Sequence, residues 1–260
     1  MKTSPLFAEE RRYEIVKLLT ANAKLLTPSL CEKFDVSPAT IRNDLRALEQ
    51  EGMLKRTHGG AIPANKTAFE PIGKSKEIEC INEKQRIAAY AETLVEDGDT
   101  IIIDTGTTTM ELAKLLIDKE NLTIVTNDIK IALFLEEHST ANIFLLGGML
   151  RRNFHCAMGA STISQIKGLN ADKAFMAVNA LSAEKGFTTP SIELANVKKA
   201  MMSISATVIF LADSQKLDRV SFAQIAKTDE AHTLITDTGA DKQFLDRLKL
   251  ENKHLDVVAV

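Results

Sequence analysis

Long apolar runs are missing from this chain of 260 residues. No stretch approaches the roughly 18 apolar residues that a membrane helix needs. Residues 1–12 reach charged side chains before any run of signal-peptide length, so the chain reads as soluble, with no membrane partner and no export. Cysteine is scarce too: Cys31, Cys80 and Cys156 are odd in number and far apart, with no CxxC pair and no histidine at ligand spacing. That excludes a disulfide framework and supports no metal site; no cofactor is expected, and the location read from this is cytoplasmic. A strong excess of one charge is also lacking. The 32 Lys and Arg against 35 Asp and Glu leave a net charge of -3, which argues against a basic coat over the whole surface. What is there is 45% hydrophobic and 26% charged residues, the globular average, at a length suited to one small and one medium-sized domain.

Charge becomes informative when it is divided. Residues 1–62 hold 10 basic and 8 acidic side chains, and the remainder holds 22 and 27. Only the N-terminal part is a candidate for meeting phosphate. There, Phe7, Tyr13, Ile15, Val16, Leu18 and Leu19 mark one helical face. Thr27-Pro28 and Ser37-Pro38 each offer a capping hydroxyl followed by proline at the first helical position, so two more helices start ten residues apart around the tight turn Phe34-Asp35-Val36. The third helix runs over 39–51 and ends at Gly52. This is helix-turn-helix spacing.

Ile41, Leu45 and Leu48 face the small core, leaving Thr40, Asn43, Arg46 and Ala47 outward with Arg42 beside them. Lying N-terminus first in a major groove, such a helix brings Ser37, Ala39, Thr40 and Asn43 to base edges, and Arg42 and Arg46 to guanine or phosphate. Residues 53–62 alternate and then turn, a two-stranded wing that carries Lys55, Arg56 and His58 toward backbone phosphate. Asp44 does not suit a groove; a pairing with Arg42 or a wing residue is expected, holding the helix at its angle. The plain alternative is a three-helix bundle with solvated charges. The string Val36-Ser37-Pro38-Ala39-Thr40-Ile41-Arg42-Asn43-Asp44-Leu45, followed by Leu48-Glu49, Gly52 and Arg56-Thr57-His58-Gly59-Gly60-Ala61, closely resembles the N-terminal domain of DeoR-family transcriptional regulators. Asn43 stands where that family usually has a second arginine, and asparagine can read adenine.

Residues 63–81 are polar, hold two prolines and a glycine, and show no sustained period, which marks a linker between domains at 1–62 and 82–260. A helical pattern resumes at Asn82 and stops at Asp97-Gly98. Six apolar runs follow, over 101–103, 123–126, 143–146, 174–178, 208–212 and 233–236, mostly separated by helical segments at 111–117, 129–136, 162–166, 192–203 and 241–249. The predicted class is α/β: a small winged helix-turn-helix domain, then a mainly parallel sheet with helices on both faces.

In such sheets ligands bind beyond the carboxyl ends of the strands. Asp104, Gly106, Thr107, Thr108 and Thr109 lie there, a glycine and three hydroxyls opening a helix whose first amides lack partners. This reads either as an anion nest or as helix capping alone, since Thr108-x-x-Glu111 is a capping box. Thr126-Asn127, Gly147-Gly148 and Asp213 with Lys216 end other strands and supply the donors and acceptors that a phosphosugar requires. Lys198, on the helix after Thr189-Pro190, reads by itself as a solvated lysine. Residues 83–240 are similar to the DeoR sensor domain, which resembles sugar-phosphate isomerases in fold; the resemblance implies that Asp104, Gly106, Thr107 to Thr109, Thr126, Asn127, Gly147, Gly148, Lys198, Asp213 and Lys216 surround a phosphorylated sugar. It further implies a repressor without enzymatic activity, whose partners are operator DNA and that effector. Two half-sites call for a homo-oligomer, dimer or tetramer. The competing classes are an isomerase-like enzyme using Asp104 or Asp213 as general base beside Lys216, and a metabolite-binding protein without DNA affinity.

Overall fold

Residues 6–21, 24–50, 53–63 and 73–260 are described by the structure, a computed structural model, and the chain divides between Ser75 and Lys76 into two units. In the first, α1 (Ala8–Ala21) is followed by β1 (Leu25–Leu26), α2 (Thr27–Phe34), α3 (Pro38–Gln50), β2 (Leu54–Thr57) and β3 (Gly60–Pro63). Ser37 caps α3 as its sequence demands, its Oγ accepting from the Thr40 N–H at 3.2 Å with Pro38 next in line. Thr27 does not cap α2. The capping position is Leu26, in extended backbone, because Leu25-Leu26 pair with β3 and draw the Thr27 N–H onto Gly59 O at 2.8 Å. The wing is therefore a three-stranded sheet in the order β1-β3-β2, one strand more than the alternation predicts. At Gly60 a Cβ would stand 1.8 Å from Leu25 O, so only glycine lets the first strand close on the wing. Ile15, Leu19, Leu30, Ile41, Leu45 and Leu48 make the small core. Gly52, read as the end of α3, and residues 64–72 of the expected linker lie outside the described residues.

The rest of the region read as linker is not irregular. It contains α4 (Gly73–Ile78), and α5 (Ile81–Glu92) begins within it. Cys80 joins the two helices with left-handed backbone, φ 53 and ψ 37.

Then come β4 (Thr100–Ile103), α6 (Thr107–Leu115), β5 (Thr123–Thr126), α7 (Ile129–His138), β6 (Asn142–Leu145), β7 (Met149–Arg151), β8 (Cys156–Met158), α8 (Ala160–Ile166), β9 (Ala171–Ala177), β10 (Ala180–Ser182), β11 (Gly186–Thr189), α9 (Ile192–Ser203), β12 (Ser205–Leu211), β13 (Ala223–Ala226), β14 (Thr233–Thr236), α10 (Lys242–Glu251) and β15 (Asp256–Ala259). All six predicted strands lie in one sheet of seven, ordered β15-β14-β12-β9-β4-β5-β6, and every neighbouring pair is parallel. Alternate residues feed two cores: Ile102, Met176 and Phe210 on one face, Ile101, Ile103, Phe175 and Ile209 on the other. Burial on both faces is why the strands read as unbroken apolar runs. Missing from the sequence reading are β15, the small antiparallel sheet β10-β11-β13 and the hairpin β7-β8. Their strands are short, and their pairing partners are set by the fold rather than by neighbours in sequence.

The order of strands locates the crevice. From β4 the chain moves outward through β5 to β6, then returns to β9 on the other side of β4 and moves outward again. Between the ends of β4 and β9 the winding reverses, the position at which sheets of this kind open a ligand crevice.

Candidate functional site

In the first unit, Arg42, Asn43 and Arg46 lie exposed on α3, and Lys55, Arg56 and His58 lie exposed on the wing. Arg42, Glu49, Arg56 and His58 line one open cleft of ≈ 950 Å³ between helix and wing. Of the predicted groove-facing residues the cleft gathers Arg42, Arg56 and His58, and several of the set are already engaged. Arg46 donates to Asn43 Oδ1 at 3.1 Å, and Ser37 and Thr40 hydroxyls bond each other at 2.9 Å. Arg56 is tied to α3, its N–H and Nε reaching the two Glu49 oxygens at 2.8 and 2.6 Å. Those bonds hold the Glu49 carboxyl below the usual carboxylate range. Asp44 is structural, as its sequence position implies, with different partners. It is 2% exposed and accepts from Arg11 Nε at 2.6 Å and Arg12 Nε at 3.1 Å, so α1 is clamped to α3; among the described residues its bonds include neither Arg42 nor the wing.

In the second unit, Asp104 follows β4 directly into the crevice. Its Oδ2 accepts from the Ala177 N–H at 2.9 Å and from Lys198 Nζ, which also donates to Ala177 O at 2.9 Å. One carboxylate and one ammonium thereby join β4, β9 and α9 at the reversal point. Asp104 is 0% and Lys198 3% exposed, so Lys198 is not solvated. It occupies the buried stripe of α9 with Leu194, Val197 and Met201. Burial pushes the Asp104 carboxyl up, and Lys198 and the Ala177 amide oppose it. Its Oδ1, with Thr108 Oγ1 and Asn127 Oδ1, is buried without a partner among the described residues.

Gly106, not Thr108, is the capping residue of α6, with no side-chain cap, and Glu111 pairs with Lys114 at 2.6 Å. The capping-box alternative is thereby removed. Gly106 φ is 165, extended backbone open to any residue, but a Cβ there would meet the Ala177 Cβ at 2.7 Å. Glycine is needed for close approach, leaving the first amides of α6 unpaired by helix geometry. The Thr109 hydroxyl bonds Gly106 O at 2.9 Å, whereas Thr107 stays half-buried.

Along β5, Thr126 Oγ1 accepts from the Asp128 N–H at 3.1 Å, and Asn127 Nδ2 donates to Ala157 O at 2.9 Å. Both brace the crevice wall. Gly147 meets Gln165 and Thr162 of α8, and a Cβ on Gly148 would lie 2.2 Å from Thr162 Oγ1. The ends of β6 and β12 are four strand spacings apart, roughly 19 Å at the usual spacing. Gly147-Gly148 and Asp213 therefore sit at opposite margins of the crevice.

At the β12 margin Asp213 pairs with Lys216 at 3.1 Å. Burial alone would raise the Asp213 carboxyl, but the charges of Lys216 and Lys84 outweigh it and hold it below 3.8. A carboxyl lowered on folding stabilises the native state above its unfolded pKa, and the gain disappears as pH falls through the lowered value. Asp213→Asn should therefore be less stable than the parent from neutral pH down to about 4, with the gap closing below that. Urea midpoints of the full chain across that range measure it; a gap that stays constant into strong acid would refute the pairing.

Two groups escape the sequence reading. Thr105 donates to Asp128 Oδ2 at 2.6 Å, and Asp128 caps α7 through the Lys130 and Ile131 amides. The signal was legible: Asp128 stands directly before an apolar helical repeat. Lys84 is 3% exposed and occupies the core-facing stripe of α5 with Ile87, Ala88 and Ala91, where a lysine is out of place.

The pattern described as DeoR-like helix-turn-helix domain matches residues 11–67, and that described as DeoR C terminal sensor domain matches 79–238. The chain is 35% identical over 249 residues to the HTH-type transcriptional regulator GlpR of Haloferax volcanii, covering 96% of each. It is 35% identical over 247 residues to the HTH-type transcriptional repressor GlcR of Bacillus subtilis, covering 94% of this chain and 93% of that one. A ribose 5-phosphate isomerase a from Methanocaldococcus jannaschii is similar in structure over 54% of this chain and 55% of its own, at 14% identity and a TM-score of 0.40.

Proposed function

Since the chain belongs to the DeoR family of helix-turn-helix transcriptional regulators, we propose that it represses a sugar or sugar-derivative catabolic operon and is controlled by a phosphorylated sugar metabolite. The observation that carries this reading is the crevice at the β4/β9 reversal, where the open amides of α6 and the Lys216 cation accompany buried acceptors suited to hydroxyl groups. The phosphate meets amides and the Lys216 ammonium, and the sugar hydroxyls donate to Asp104 and Asn127. Lys198 acts by holding Asp104 rather than by touching phosphate.

On DNA, α3 enters the major groove and the wing follows the backbone. Two such heads, supplied by a dimer or tetramer, read two half-sites. Effector binding changes their arrangement, and coupling of about 1–3 kcal/mol per site falls short of the roughly 5.5 needed for a nearly complete switch, so several subunits must load. The described residues include no helix long and apolar enough to cross a membrane, in keeping with action in the cytoplasm.

The test is specific complex formation with the promoter of the neighbouring operon, at fixed salt, against a panel of sugar phosphates. One compound should alter the complex. Isomerisation of a panel member without any specific complex would instead establish an enzyme. Arg42→Ala should weaken operator binding and leave the effector response intact. Glu49→Gln releases Arg56 for phosphate, so the slope of log K against log salt should steepen by about 0.9; an unchanged slope would mean that Arg56 serves only the wing.

A further inference from the structure

We infer that Lys84 is a further anion-binding residue of the effector site, which in the unliganded chain lends its ammonium to the α4–α5 junction and gives it up to a phosphate monoester. This rests on the sensor reading above.

Lys84 is buried, yet among the described residues no carboxylate lies within ion-pair distance of it. Its Nζ donates to Lys76 O and to Glu79 O, the latter at 2.6 Å. An ammonium carries three donors, and two are used. Carbonyl dipoles compensate a buried charge less fully than a carboxylate does, and a buried cation without full compensation is poised to take an anion. The neighbouring charges point the same way. Burial and then the Lys216 charge push Lys84 down to about 8, with Asp213 and Glu79 opposing, and Lys216 is itself engaged with Asp213 at 3.1 Å. A phosphate supplies the full negative charge that the two carbonyls lack; a neutral sugar does not.

The same two bonds hold an unusual backbone. Cys80 has a left-handed conformation that a side chain other than glycine adopts rarely, and the Lys84 N–H bonds its carbonyl at 3.0 Å while Lys84 Nζ bonds the Lys76 and Glu79 carbonyls that precede it. Drawing the ammonium toward phosphate removes the Nζ bonds to Lys76 and Glu79 together. The junction then loosens at the point where the chain leaves the α/β unit toward the DNA-binding unit. A lysine otherwise out of place on a core stripe thus has two alternative sets of partners, which is what a switch element requires.

The test uses the full-length chain and inorganic phosphate as probe. Lys84→Met preserves length and removes charge, and circular dichroism checks its fold; Lys84→Gln replaces it if the methionine variant does not fold. Phosphate affinity by calorimetry should fall roughly tenfold or more, the loss of a charge-assisted bond, as it should in Lys216→Met. Hydrogen exchange over residues 76–81 should rise in the parent on adding phosphate, and in Lys84→Met should be high from the start and indifferent to phosphate. A parent that binds phosphate beside a Lys84→Met protein of equal affinity would overturn this inference and leave the sensor reading standing. A parent that ignores phosphate would overturn both.

Discussion

Lys198→Met should destabilise the α/β unit by about 3–5 kcal/mol, the usual result of removing one partner of a buried ion pair, which is a large part of a typical domain's 5–15. Asp104 is fully buried, and the pair is the join between β4, β9 and α9. The variant should also lose its effector response, because Asp104 no longer has a fixed rotamer. Its pH dependence provides the sharper check. With the ammonium gone, only the Ala177 and Thr105 amides still oppose the burial that raises the Asp104 carboxyl. A folded pKa above the unfolded 3.8 contributes stability that is present below 3.8 and lost as pH rises through the raised value. The deficit against the parent should therefore shrink on acidification toward about pH 4. Urea titrations at several pH values measure it, and a deficit independent of pH would show that the cavity, not the charge, is responsible. Adding Asp104→Asn to Lys198→Met should recover part of the loss at neutral pH.

Asp44→Ala should unfold the DNA-binding unit while leaving effector binding to the other unit intact. The carboxylate is shared by Arg11, which is itself buried, and by the half-buried Arg12, and its removal strands the Arg11 guanidinium. An uncompensated buried charge costs about 3–5 kcal/mol, and a domain of some 60 residues has little margin to absorb it. Specific DNA binding should be lost outright, whereas Arg42→Ala only weakens it. Asp44→Asn keeps the volume but not the charge and should fall between the two. Calorimetric melting of the first unit at the parent's temperature in Asp44→Ala would refute the clamp. The combination Arg11→Met with Asp44→Leu should regain stability, since a packed apolar pair replaces a buried ionic one without penalty.

Both Asp44 and Lys198 are recognisable as important, the first by its unsuitability for a DNA groove and the second only through family resemblance. Neither partner is visible in sequence: Arg11 is 33 positions from Asp44, and Asp104 is 94 from Lys198. The Thr27 and Thr108 capping assignments fail for a related reason. Each has the right local chemistry, but β1 pairing takes the Thr27 N–H, and the approach of Ala177 moves the α6 start to Gly106.

The sequence by itself determines what depends on near neighbours or on a repeating pattern. The helix-turn-helix spacing, the Ser37 cap, the six apolar strands and the polar residues at their ends all follow from local propensity and periodicity. The tertiary structure alone decides which polar groups meet, because pairing across a sheet or between helices depends on strand order and crossover. It turns Lys198 from a solvated side chain into the partner of Asp104, adds β15 to the sheet edge, and buries the Lys84 ammonium against the Lys76 and Glu79 carbonyls. Burial then sets the energetics: the same lysine that is indifferent in water is compelled, inside the protein, to find an anion or a carbonyl.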